Sequence, residues 1–118
     1  MKADIKLYIR AQAGSAGVAI GPGKIALLEG IADTGSITAA AKKLGMSYRR
    51  AWLLVQETNS CLVEPAVATA AGGQDGGGTT LTAAGEELVR RYRELERQTE
   101  GAVKRELDKL LRALPDDH

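Results

Sequence analysis

The sequence predicts a mostly α fold with a small β component: a winged helix-turn-helix with an N-terminal β-hairpin and a long C-terminal helix. Three observations carry this. Residues 36–52 read as two helices joined by a tight turn, a glycine-rich loop at 72–78 lies between two short strand-like segments, and an apolar stripe at near-heptad spacing runs from Leu88 to Leu114. The boundaries follow: residues 1–81 form the winged helix-turn-helix, with the hairpin at 4–20 and the wing at 66–81, and residues 82–118 form the long helix.

At 118 residues the chain fits one domain with a small core. It is 44% hydrophobic and 26% charged, with 3% aromatic residues and no Phe, so the core must be aliphatic and alanine-rich. Net charge is +1, which argues against a non-specific polycation; any nucleic-acid footprint must come from local clustering. No secretion signal and no membrane-length apolar run is read, so a cytoplasmic protein is expected. Cys61 is the single cysteine, which fits a reducing compartment and reads as a small buried hydrophobe near a helix end. His118 is the only histidine, Cys61 has no histidine within sequence reach, and no metal-ligand spacing occurs. An enzyme is therefore not expected, nor is any cofactor.

Taken in order, Ile5, Leu7 and Ile9 alternate with Lys6, Tyr8 and Arg10, the period of a half-buried strand over residues 4–11. Residues 14–17 make a turn, and Val18-Ala19-Ile20 returns as a second strand. A lone hairpin is marginal in water, so this one must lean on the core or on a second copy. Pro22 suits the first position of the next helix, in which Ile25, Leu27, Leu28, Ile31 and Ala32 build a broad apolar face. Asp33-Thr34-Gly35 ends it.

Ser36 is an N-cap, and Ile37, Ala40, Ala41 and Leu44 follow at i, i+3, i+4 and i+7, one face of a short helix. Gly45 takes the left-handed conformation that stops it. Ser47 caps a second helix running to about Leu62, with Ala51, Val55, Thr58 and Leu62 inward, Trp52 as a core anchor, and Tyr48, Arg49, Arg50, Leu53 and Gln56 on the outward side. Arg49 and Arg50 stand at the positive end of that helix dipole, where cations are unfavourable. A local rule broken without compensation points to an external partner, and a DNA phosphate or guanine edge supplies one.

Pro65 stops the helix. Val67 to Ala70 and Thr79 to Leu81 form the wing strands around the glycine loop. A nucleotide-binding loop is excluded because no Gly-Lys-Ser/Thr follows the glycines. Thr82 caps the last helix. Leu88, Tyr92, Leu95, Thr99, Val103, Leu107, Leu110 and Leu114 step by four or three, with a slip around Gly101. Glu86–Arg90, Glu87–Arg91, Glu100–Lys104 and Asp108–Arg112 are i,i+4 pairs of favourable polarity. About 50 Å of helix cannot bury its stripe on so small a domain. A symmetric dimer through Leu88, Tyr92, Leu95, Val103, Leu107 and Leu110 is the economical solution.

Across residues 4 to 112 the chain resembles the N-terminal DNA-binding domain of the ModE-type, molybdate-responsive regulators, relatives of the LysR-type winged helices. The matching residues are Gly35-Ser36-Ile37, Ala40-Ala41, Met46-Ser47-Tyr48-Arg49-Arg50-Ala51-Trp52, Asn59, Thr69 with Gly72-Gly73, Gly76-Gly77-Gly78, and Leu81-Thr82 with Gly85. The resemblance implies a homodimer on a near-palindromic site in double-stranded DNA. Ser47, Tyr48, Arg49 and Arg50 would face the groove, with Leu53 beside them, Lys42 and Lys43 near the phosphates, and Gln74 at the wing tip. The wing reads Gln74-Asp75, with no basic residue. Full-length members carry C-terminal oxyanion-binding domains; the sequence ends at His118, so a stand-alone DNA-binding member is expected, with a separate sensor chain left open. The rival reading is a protein-interaction module that uses the long helix without touching DNA.

Overall fold

The computed structural model of the chain describes residues 4–13, 16–69 and 78–112. Its described elements are two antiparallel hairpins and four helices: β1 (Ile9–Ala13), β2 (Ala16–Ile20), α1 (Pro22–Thr34), α2 (Ile37–Lys43), α3 (Tyr48–Cys61), β3 (Val67–Thr69), β4 (Thr79–Leu81) and α4 (Ala83–Leu111). The protein is thus mostly helical with a small β component. Gly72 to Gly77, Gln74 among them, and Leu114 lie outside the described residues, as do the turn residues Gly14 and Ser15.

The first hairpin pairs Ile9 with Ile20 and Arg10 with Ala19. It begins later than the alternation suggests. Ile5 and Leu7 lie outside the ladder, because β2 opens directly into α1 and offers them no partner strand. Leu7, Ile9 and Ile20 nonetheless pack against the core.

α1 is the centre of that core. Ile25, Leu27, Leu28 and Ile31 are at most 1% exposed, each worth about 1.5–3 kcal/mol of burial. Around them lie Ile37, Ala40 and Ala41 of α2, Ala51 and Val55 of α3, Ala66, Val67 and Tyr92. Small residues set the close approach of α1 and α2: a Cβ at Gly30 would stand 3.1 Å from that of Ala40. Leu44, expected on the apolar face of α2, is the residue after the helix and points outward.

The second hairpin is tied down at its base. Asn59 on α3 accepts from the Ala66 and Val67 amides through Oδ1 (2.8 and 3.1 Å) and donates through Nδ2 to the Val67 carbonyl (3.2 Å). The Thr82 hydroxyl donates to the Pro65 carbonyl at 2.6 Å and accepts from the Gly85 amide at 3.1 Å, capping α4. The Thr82 amide donates to the Ala66 carbonyl at 2.9 Å. Gly85 is there because nothing larger fits: a Cβ would lie 2.3 Å from the Ala66 carbonyl oxygen and 2.6 Å from Leu81 Cδ1. Gly85→Ala should therefore destabilise the fold by about 1–3 kcal/mol in a denaturant titration, as overpacking does, although Ala is the better helix former.

α4 leaves the body after its first three turns. Leu88 and Val89 lean on the core, and Tyr92 is 2% exposed with its hydroxyl donating to the Leu7 carbonyl at 2.5 Å. Arg93 follows, held by Glu29 of α1 (Nε to Oε2 3.2 Å, Nη2 to Oε1 2.6 Å) and by Glu96 at 2.7 Å. Burial pushes the Tyr92 phenol above its ordinary pKa. Its neutral form is thus favoured by folding, a contribution present below the unfolded pKa near 10 and lost as pH rises through the folded value. Tyr92→Phe should cost about 1 kcal/mol at neutral pH and flatten the alkaline decline in stability measured by urea unfolding.

Candidate nucleic-acid interface

The α2–α3 unit is built by short-range chemistry. The Ser36 hydroxyl accepts from the Ala39 amide and the Ser47 hydroxyl from the Arg50 amide, each at 3.1 Å. Between the helices, Gly45 at φ 69° allows the Met46 amide to reach back to the Ala41 carbonyl at 3.0 Å. Ala51, Val55 and Thr58 of α3 face inward as expected. That geometry turns Tyr48, Arg49, Arg50, Leu53 and Gln56 to the surface, with Tyr48 53% and Leu53 44% exposed.

Trp52 corrects the sequence reading. Expected as a core anchor, it is 44% exposed. Ala51 at the neighbouring position takes the inward slot at 0% exposure, and helical period turns the next residue away from the core. Cys61 is likewise only partly buried, its Sγ 3.6 Å from the Gly17 carbonyl of the first hairpin.

The electrostatics of this face are one-sided. Residues 34–56 contain Lys42, Lys43, Arg49 and Arg50 and no Asp or Glu. Lys43 makes a loose, exposed pair with Asp33 at 3.7 Å. Among the described residues, Lys42, Arg49 and Arg50 appear in no salt bridge. α4 is the opposite case: Arg90 and Arg91 share Glu87, Arg93 takes Glu29 and Glu96, and Arg97, Lys104 and Lys109 pair with Glu94, Glu100 and Glu106. Arg90 and Arg91 hold the Glu87 carboxyl below its ordinary pKa. Arg90 is thereby taken from Glu86, the partner that i,i+4 spacing suggested; Glu100–Lys104 and Asp108–Arg112 form as expected.

The other site residues separate into two groups. Leu88 and Tyr92 belong to the chain's own core, whereas Leu95 and Leu110 are exposed at 45% and 59%, and Val103 and Leu107 are half-exposed beyond the point where α4 meets the body. Among the described residues no group of His, Cys, Asp and Glu side chains is placed to hold a metal ion, and no helix is long and apolar enough to cross a membrane. Sequence reasoning missed the roles of Asn59, Arg93 and Glu29. An Asn two residues from a helix end carries no local signal, and the Glu29–Arg93 pair spans 64 positions.

No family model matches the chain. Among known proteins it is 48% identical over 80 residues to a molybdenum-pterin-binding protein, MopB, of Rhodobacter capsulatus, covering 68% of this chain and 30% of that protein. It is 42% identical over 94 residues to the molybdenum transport protein ModE of Azotobacter vinelandii, covering 80% and 35%. It is 38% identical over 92 residues to a DNA-binding transcriptional dual regulator, ModE, of Escherichia coli (strain K12), covering 78% and 34%. The chain spans about a third of the length of these curated relatives. It is related to the ModE and Mop proteins, and the names of these relatives describe regulators, transport and molybdenum-pterin-binding proteins rather than enzymes.

Proposed function

We propose that this chain is a ModE-type transcriptional regulator that binds DNA as a homodimer, with a winged helix-turn-helix reading a near-palindromic site in the cytoplasm. α3 enters the major groove by its N-terminal turn, and Ser47, Tyr48, Arg49, Arg50 and Leu53 face the bases and nearest phosphates. Lys42 and Lys43 flank it, and the hairpin β3–β4, with Gln74 in its connecting loop, acts as the wing. The observation that carries this is the cationic α2–α3 face: four basic residues and no acidic one over residues 34–56, three of them outside any described ion pair. The similarity to regulators described as DNA-binding supports the same reading.

The direct test is fluorescence anisotropy of the protein with genomic fragments upstream of its own gene, across a salt series. Site-selective binding with a steep salt dependence supports the regulator. Weak binding equal for all fragments would overturn it and favour a protein-interaction module working through the exposed stripe of α4.

That stripe is the proposed dimer surface. Leu95, Val103, Leu107 and Leu110 have no partner in the chain's own core, and a second copy of the helix would cover them. Leu107→Glu/Leu110→Glu should convert the dimer to a folded monomer in sedimentation equilibrium. DNA affinity should fall with it, because each half-site is then bound alone.

A further inference from the structure

We propose that the N-terminal hairpin carries a second DNA contact, in which Arg10 binds a backbone phosphate flanking the segment faced by α3. The inference rests on the DNA-binding reading and extends it to an element the comparisons do not assign to DNA. Arg10 and Arg50 line one groove of about 310 Å³ between β1 and the first turns of α3, with Tyr8 and Leu54 beside them. Both guanidinium groups belong to exposed residues, and neither appears in a described salt bridge. Among the described residues Glu57 is the one acid on this groove, and Lys24 takes it at 3.2 Å while also donating to the Ala19 carbonyl at 2.7 Å. Two like charges thus face one groove with no free counter-ion among the described residues, an arrangement an external anion relieves.

The strand that presents Arg10 is firmly placed. Ile9 and Ile20 pack on the core, and Tyr92 holds the Leu7 carbonyl at 2.5 Å. The Tyr8 ring lies so close to Gly21 that a Cβ there would stand 2.7 Å from its Cδ1. Across the ladder Arg10 faces only Ala19, so its charge gains nothing within the sheet. A phosphate suits it: the guanidinium fork matches phosphate oxygens, and backbone contacts position a protein without reading sequence.

The test compares wild type, Arg10→Ala and Arg10→Lys on a cognate duplex and a scrambled duplex, by anisotropy across a salt series. Arg10→Ala should weaken both duplexes alike, by roughly threefold to tenfold, and reduce the salt slope by about one; Arg10→Lys should restore the slope. Thermal melts and sedimentation should match wild type, since Arg10 is exposed and outside the core. Unchanged slope and affinity in Arg10→Ala overturn the inference while the DNA reading stands. Weakening confined to the cognate duplex overturns it too, since that marks a base contact. Absence of duplex binding by wild type overturns both.

Discussion

Arg49→Ala/Arg50→Ala should weaken binding to the cognate duplex by roughly 100-fold or more, since each lost base contact costs about 1–3 kcal/mol. If one arginine reads a base and the other holds a phosphate, the single variants separate them. The base contact relaxes sequence choice, and the phosphate contact lowers the salt slope by about one with preference intact. Stability should move the opposite way. Both cations sit at the positive end of the α3 dipole without an acidic neighbour, at an unfavourable cost of about 0.3–1 kcal/mol each. The double variant should therefore melt slightly higher than wild type while losing DNA. A variant that binds as well as wild type would remove the central support for the regulator reading.

Asn59→Ala should be among the most damaging single changes to the fold, at about 2–5 kcal/mol by urea unfolding. It strips the acceptor from two amides, those of Ala66 and Val67, which are 0% and 4% exposed and have no route to water. Each orphaned buried donor costs about 1–3 kcal/mol. Asn59→Asp separates the effects: it keeps the acceptor for both amides but sets an acceptor-only carboxylate oxygen against the Val67 carbonyl, so its cost should fall as the pH is lowered and the carboxyl gains a proton to donate, whereas that of Asn59→Ala should not. Because Asn59 joins the end of α3 to the start of β3, hydrogen exchange in Asn59→Ala should rise first at Ala66 to Thr69. Uniform exchange across the whole chain would show that this hairpin does not open separately.

The parts legible in the sequence are those whose chemistry closes within a few residues. Ser36, Ser47 and Thr82 each cap the helix that follows, accepting from an amide three residues on. Gly35 and Gly45 take the left-handed conformation that ends one helix and turns the chain before the next. Pro22 opens α1, and the inward stripe Ala51, Val55 and Thr58 follows from helical period alone. Elements and their order are local quantities, and the cationic turn of α3 is visible for the same reason.

Tertiary packing decided the rest, because burial and partner choice depend on what stands opposite. Trp52 is large enough to be a core anchor, yet Ala51 takes the inward position of α3 and the indole is left outside. The α4 stripe is continuous by spacing, but only its first turns meet the body; Leu88 and Tyr92 are used there, and Leu95 and Leu110 are left outside the core. Glu29 and Arg93 form a bidentate pair that no periodicity anticipates. Asn59 and Gly85 are ordinary helix residues until Ala66 is laid against them: one then supplies its only amide acceptor, and the other yields the space its carbonyl occupies.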